Sequence, residues 1–65
     1  MNNKKLNQLG YEYDFWLGQL ITAFQFAWHE VCITKDTKKI KEHIEVAYSD
    51  MKILEDIFNK AMEEI

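Results

Sequence analysis

The chain has no proline, two glycines and one cysteine among its 65 residues. Proline would break a helix interior, and glycine is what tight turns and phosphate-binding loops require, so both shortages favour helices. The lone Cys32 excludes an internal disulfide and is expected to act as a small buried hydrophobe. No histidine and cysteine cluster has the spacing of a zinc site. We therefore expect a fold held by packing, with no cofactor or metal.

The chain also has no arginine, and its eight lysines and eleven acidic residues give a formal charge of −3. Arginine is the usual ligand of guanine edges, so sequence-specific reading of nucleic acid is not expected. The one long apolar stretch, residues 15–33, contains Gln19, Gln25 and Glu30, which would be costly in a membrane. No apolar signal-peptide core follows the first residues. These features predict a cytoplasmic protein with no membrane contact.

A strict heptad pattern runs from residue 40 to residue 65. Its apolar members, which we call the heptad stripe, are Ile40, Ile44, Ala47, Met51, Leu54, Phe58, Ala61 and Ile65. The pattern predicts a helix from about 37 to 64 whose apolar edge faces another helix. Asp36 is the predicted N-cap, because its carboxylate can accept hydrogen bonds from the free amides of the first turn.

A second apolar series predicts an earlier helix over about residues 3–33. Its members are Leu6, Leu9, Tyr13, Trp16, Leu20, Ala23 and Ala27. Gly10 argues for a later start, because an interior glycine costs a helix about 1 kcal/mol relative to alanine. The pattern nevertheless favours the longer helix. A turn over 34–36 then makes the two helices antiparallel neighbours in one domain, residues 1–65, an all-α helical hairpin.

The two helices carry more apolar surface than a two-helix contact can cover. The residues in excess of the contact, which we expect to mediate self-association, are Trp16, Leu20, Phe24, Trp28, Val46, Ile53 and Ile57. Exposed apolar patches of this size mark interfaces. A homodimer that forms a four-helix bundle is one explanation, and a foreign protein partner is the other. Both can hold together.

Four further residues of the first helix fall on its more polar side: Tyr11, Phe15, Gln19 and Phe26. We interpret them as a binding site for a protein target, because aromatic anchors dominate interface energetics. The alternative is that Phe15 and Phe26 pack inside the homo-oligomer or against the N-terminal residues of their own chain.

Catalytic chemistry lacks a setting in this sequence. The segment His29-Glu30-Val31-Cys32-Ile33 begins like a zinc protease motif, but Ile33 replaces the second histidine. The paired acids lie on predicted helix surfaces, and a single hairpin offers no concave site to change their pKa values. We expect no enzymatic activity.

The sequence therefore predicts a small, self-associating helical protein that binds another protein and regulates or inhibits it. Its size and its abundance of lysine, asparagine and isoleucine are typical of a phage or mobile-element accessory factor. The alternative function is a nucleic-acid-associated regulator that contacts phosphates through Lys35, Lys38, Lys39 and Lys41 near the turn.

Overall fold

A computed structural model describes residues 3–65, which form two α-helices joined by a short turn. Helix α1 spans Asn3–Ile33 and helix α2 spans Thr37–Glu63. The helices pack side by side along their length, which confirms the all-α hairpin. Helix α1 passes through Gly10 without a break, so the glycine does not end the helix. The apolar side chains on both sides of Gly10 provide enough packing to offset its low helix propensity.

The turn between the helices is built from backbone and side-chain hydrogen bonds. The Lys35 amide donates to the Glu30 carbonyl over 2.7 Å, and Lys35 has a φ of 54°, in the left-handed region. A left-handed residue commonly ends an α-helix. Asp36 is then the N-cap of α2, as predicted, and its carboxylate accepts from the amides of Lys38 at 3.0 Å and Lys39 at 3.3 Å. Such a cap contributes about 1 kcal/mol.

The buried core lies towards the open end of the hairpin, away from the turn. Leu9, Leu54 and Ile57 form its centre. Partly buried apolar side chains surround that centre, namely Tyr13, Trp16, Leu17, Leu20, Ile53 and Ala61. Nearer the turn the buried residues are small, because Ala23, Ala27 and Ala47 occupy the contact. Small side chains let two helices approach closely but bury little apolar area.

Ion pairs cross between the helices at both ends of the hairpin. Lys5 lies 3.8 Å from Glu64, and Glu30 lies 3.9 Å from His43, which carries a charge only when protonated. Within α2, the hydrogen bond from Lys60 to Asp56 raises the pKa of Lys60. Exposed pairs of this kind contribute little to the stability of a fold. Apolar packing therefore supplies most of the stability.

The hairpin is a single layer of helices. Its Cα atoms extend over 49 × 14 × 10 Å, with a radius of gyration of 15.0 Å. A compact domain of 65 residues would have a radius of gyration of about 11 Å. Stable domains usually pack two layers around a core. The described part of the chain contains no large side chain that is fully buried. Each side of the hairpin therefore remains open for a second layer.

Only half of the heptad stripe is buried or partly buried by the contact with α1. Ile40, Ala47, Leu54 and Ala61 are buried or partly buried, as the pattern predicts. The other four members, Ile44, Met51, Phe58 and Ile65, are exposed. The expectation that the whole stripe faces a helix is therefore wrong within a single chain. A heptad stripe is wider than the contact with one neighbouring helix, and α1 covers only one edge of it.

Candidate interaction surfaces

One side of the hairpin is a continuous apolar surface, which we call the open face. It consists of Leu17, Ile21, Phe24 and Trp28 of α1, and of Ile44, Met51, Phe58 and Ile65 of α2. The most exposed of these residues are Ile65 at 86%, Trp28 at 67% and Phe58 at 55%. None of the eight is charged.

The contact between Tyr13 and Phe58 shows that these residues share one side of the hairpin. Their rings meet edge to face, with centroids 5.5 Å apart. At 100° per residue, Trp28 lies on α1 about 60° from Tyr13, and Met51 lies on α2 about 20° from Phe58. Leu17, Ile21 and Phe24 of α1 fall in the same sector as Trp28. The exposed apolar flanks of α1 and α2 therefore merge into one surface along the hairpin.

A notch interrupts the open face near the open end of the hairpin, where α1 has Gly10 in place of a side chain. Leu6, Leu9, Tyr13 and Phe58 are among the residues that line a groove of about 160 Å³ beside it. A Cβ built at Gly10 meets no other heavy atom of the described residues within 4 Å, apart from its chain neighbours and the adjoining helix backbone. A cavity of about 150 Å³ is large enough for a benzene ring. The notch therefore has room for one six-membered aromatic ring, which in a tryptophan is the benzo ring of the indole.

The residues predicted to mediate self-association divide into two groups. Phe24 and Trp28 lie on the open face, and Val46 is exposed on the other flank of α2. Ile57 is buried in the core, and Trp16, Leu20 and Ile53 pack against that core. The surfaces of these last four are mostly covered within one chain. The sequence pattern did not single out Ile44, Met51 and Phe58 for self-association, because it assigned them to the contact within the hairpin.

The residues predicted to bind a protein target are all exposed, and we call them the aromatic ridge: Tyr11, Phe15, Gln19 and Phe26. Phe15 and Phe26 are eleven residues apart, about three helical turns, so they lie on one line along α1. Phe26 is two residues from Trp28, which puts it about 160° around the helix from the open face. The ridge and the open face are therefore separate surfaces.

Both phenylalanines of the ridge are held by a neighbouring ring. Phe15 meets Trp16 edge to face at 5.1 Å, and Phe26 stacks on His43 at 5.8 Å. They are nevertheless 57% and 54% exposed. A side chain that is already oriented loses less conformational entropy when a partner binds. The ridge thus has the exposure and the order that binding anchors need.

The lysines near the turn form a third exposed surface. Lys35, Lys38, Lys39 and Lys41 are all exposed, and none pairs with an acid among residues 3–65. Asp36 lies among them but uses its carboxylate to cap α2. These lysines could contact phosphates, although they offer no arrangement that would read bases.

The structure also bears on Cys32, on metal binding and on the apolar stretch of α1. Cys32 is exposed, so the expectation that it is a buried hydrophobe is wrong. It lies near the end of α1, beyond the reach of the core. Residues 3–65 contain no group of three or more histidine, cysteine or acidic side chains that could hold a metal ion. Neither of the two described helices contains an apolar window long enough to cross a bilayer.

Comparison with protein families, with curated proteins and with solved structures finds no significant match to this chain.

Proposed function

We propose that this protein is a homodimeric helical bundle that binds another protein and regulates or inhibits it. The observation that carries the proposal is that a single-layer hairpin exposes aromatic side chains on two separate sides. The open face is suited to a second copy, and the aromatic ridge then remains accessible to a target. Steric occlusion of the target's own surface is the mechanism that such a rigid, largely featureless bundle can provide.

Size supports self-association through the open face. The hairpin measures 49 Å by 14 Å at its Cα atoms, a footprint of roughly 700 Å² before side chains are added. Stable protein interfaces bury about 800 Å² on each partner. A domain shorter than about 70–80 residues rarely supplies enough core by itself, and this one has no disulfide. A second hairpin would supply the missing layer.

Binding of a protein target through the aromatic ridge is tested by the double substitution Phe15→Ala and Phe26→Ala. We expect the variant to keep its dimeric mass and helix content, because both rings are exposed and lie away from the open face. The experiment is a pull-down from a nuclease-treated lysate of the native host, with washes at high salt. We expect the unmodified protein to retain a target protein and the variant not to retain it. Loss of two central aromatic anchors typically weakens binding by 100-fold or more.

The matched control for this experiment is Tyr48→Ala, because Tyr48 is an exposed aromatic residue on α2, away from the ridge. Retention of the same target by the control variant would assign the contact to the ridge. If instead the ridge variant retains every protein that the unmodified chain retains, the ridge has no binding role.

A nucleic-acid-associated regulator is the second candidate, supported by the four exposed lysines at the turn that pair with no acid among the described residues. We expect replacement of Lys35, Lys38, Lys39 and Lys41 by serine to abolish any binding to a mixed-sequence duplex, if phosphate contact is the function. The unmodified chain should then lose affinity steeply between 50 and 200 mM salt, because bound counterions are released. Fluorescence anisotropy measures both effects. Affinity that is insensitive to salt would eliminate this candidate.

A further inference from the structure

The two-fold axis of a homodimer can be located from contacts within one hairpin. Tyr13 contacts Phe58, and Phe26 contacts His43. Halfway between these contacts lie residues 19–20 of α1 and 50–51 of α2. A two-fold axis that crosses the hairpin at this level would superimpose the full length of one open face on the other, and a crossing at any other level would leave part of each apolar face uncovered. An axis parallel to the helices keeps the two copies level with each other.

Two directions of the axis would bring the open faces together. If it runs along the helices, both turns lie at the same end and α1 packs on the partner's α2. If it runs across the hairpin, from α1 to α2, the turns lie at opposite ends and each helix packs on its own copy. Both choices make neighbouring helices antiparallel, so helix dipoles do not distinguish them.

The distribution of charge separates these two directions. The turn end, residues 29–43, carries four lysines and three acidic residues. The open end, residues 3–14 and 55–65, carries six acidic residues and three lysines. Turns at the same end would place two net-negative ends side by side. Turns at opposite ends place the lysine-rich turn of each copy beside the acidic end of the other, which is electrostatically favourable.

An axis across the hairpin also brings complementary shapes together, because it sets a projecting side chain opposite a notch. Gly10 and Trp28 are eighteen residues apart, five helical turns or about 27 Å, so they lie on one line along α1. They are nearly equidistant from the level of residues 19–20. An axis across the hairpin therefore sets Trp28 of one copy opposite Gly10 of the other. Trp28 is largely exposed in one chain, and the notch at Gly10 has room for an aromatic ring.

We propose that a second copy of this chain covers the open face with the two turns at opposite ends, so that Trp28 of each copy fills the notch at Gly10 of the other. Met51 then lies beside its own copy near the axis, and Ile44 lies opposite Phe58. This arrangement rests on the proposed self-association and adds its direction and its register. It also gives α1 a reason to carry a glycine that weakens the helix.

Cysteine cross-linking tests the direction of the dimer. In a Cys32→Ser background, Met51→Cys should form a disulfide-linked dimer on mild oxidation, because the two thiols are neighbours across the axis. Lys52→Cys is the matched control, since the next residue lies about 100° around α2 and should cross-link little. If chains with Met51→Cys link preferentially to chains with Ile21→Cys, the turns lie at the same end. That result would overturn the arrangement while self-association stands.

Substitution of the two glycines tests the notch. Gly10→Leu and Gly18→Leu bring the same gain in helix propensity, and neither new side chain meets a described atom within 4 Å at its Cβ. Gly18 lies on the outer side of α1, away from both α2 and the open face. We expect Gly10→Leu to raise the dissociation constant of the dimer at least 30-fold, and Gly18→Leu to leave it unchanged. Light scattering across a dilution series measures both.

The possible outcomes of these experiments are distinguishable. Equal dissociation constants for Gly10→Leu and Gly18→Leu would overturn the contact of Trp28 with the notch. Equal cross-linking of Met51→Cys and Lys52→Cys would overturn the proposed direction of the two-fold axis. An unmodified chain that is a folded monomer at all concentrations would overturn both this arrangement and the proposed self-association.

Discussion

The double substitution Phe24→Ala and Trp28→Ala should convert the proposed dimer into a monomer and raise its dissociation constant by about 1,000-fold. Both side chains are largely exposed in one hairpin, so their loss removes little packing within the chain. In the proposed dimer each substitution removes two rings from the interface, one from each copy, so the double variant lacks four rings. At about 1 kcal/mol or more for each ring the loss is about 4 kcal/mol, which corresponds to about a 1,000-fold weaker complex.

The measurement is the temperature midpoint of unfolding at several protein concentrations. Circular dichroism detects the unfolding. A homodimer that unfolds to separate chains becomes more stable as concentration rises. We expect the unmodified protein to show this dependence and the double variant to lose it, with a lower midpoint at every concentration. This readout remains informative even if the isolated hairpin is only marginally stable.

Phe15→Ala with Phe26→Ala provides the matched control, because it also removes two aromatic rings that are more than half exposed on α1. These rings lie on the opposite side of α1 from Trp28. The control should keep the concentration dependence of the unmodified chain. If the two double variants behave alike, the open face is not the dimer interface.

The hairpin itself was predictable from the sequence. The heptad stripe of α2, the cap at Asp36 and the polar turn are local signals, because each depends on spacings within a few residues. The position of α1 followed from its apolar series, despite Gly10. What these signals specify is the type and order of the elements, together with the apolar side of each.

The sequence could not say which neighbour covers each part of an apolar stripe. Ala47 and Met51 belong to the same heptad stripe, yet α1 buries Ala47 and leaves Met51 on the open face. In a four-helix bundle the core stripe points between two neighbouring helices, so each neighbour covers one edge. Distinguishing the edges requires the rotation of α2 about its own axis, which depends on how α1 packs. Cys32 was misplaced for a similar reason, because it lies on the side of α1 away from α2.

Asp50 is the residue that the sequence pattern least explains. It lies in the contact between the helices and is only 6% exposed, and one of its carboxylate oxygens, Oδ2, has no hydrogen-bond partner among the described residues. The contacts that locate the middle of the hairpin place it at the level of residues 19–20 of α1. Leaving a buried polar group unsatisfied costs about 1–3 kcal/mol. Asp50 should therefore destabilise the hairpin in which it sits.

Asp50→Ala should raise the free energy of unfolding by about 1–3 kcal/mol, which chemical denaturation at fixed protein concentration measures. The temperature midpoint of thermal unfolding should rise by roughly 4–8 °C for each kcal/mol. Asp14→Ala is the matched control, because Asp14 is exposed on α1 and the same replacement there brings only the gain in helix propensity, about 0.5 kcal/mol. An Asp50→Ala variant no more stable than Asp14→Ala would show that the carboxylate is satisfied in solution.

A cost of this size suggests what Asp50 contributes in return. A single polar residue in an apolar helix contact can fix register, because sliding the helices would bury it in a still less favourable place. Asp50 also lies at the level of the proposed two-fold axis, where an error in register would displace Trp28 from the notch at Gly10. In the Cys32→Ser background, Asp50→Ala should therefore yield a more stable hairpin that cross-links less selectively. The yield of disulfide from the Lys52→Cys variant should rise towards the yield from the Met51→Cys variant. Unchanged selectivity in the more stable variant would mean that the apolar face alone sets the register.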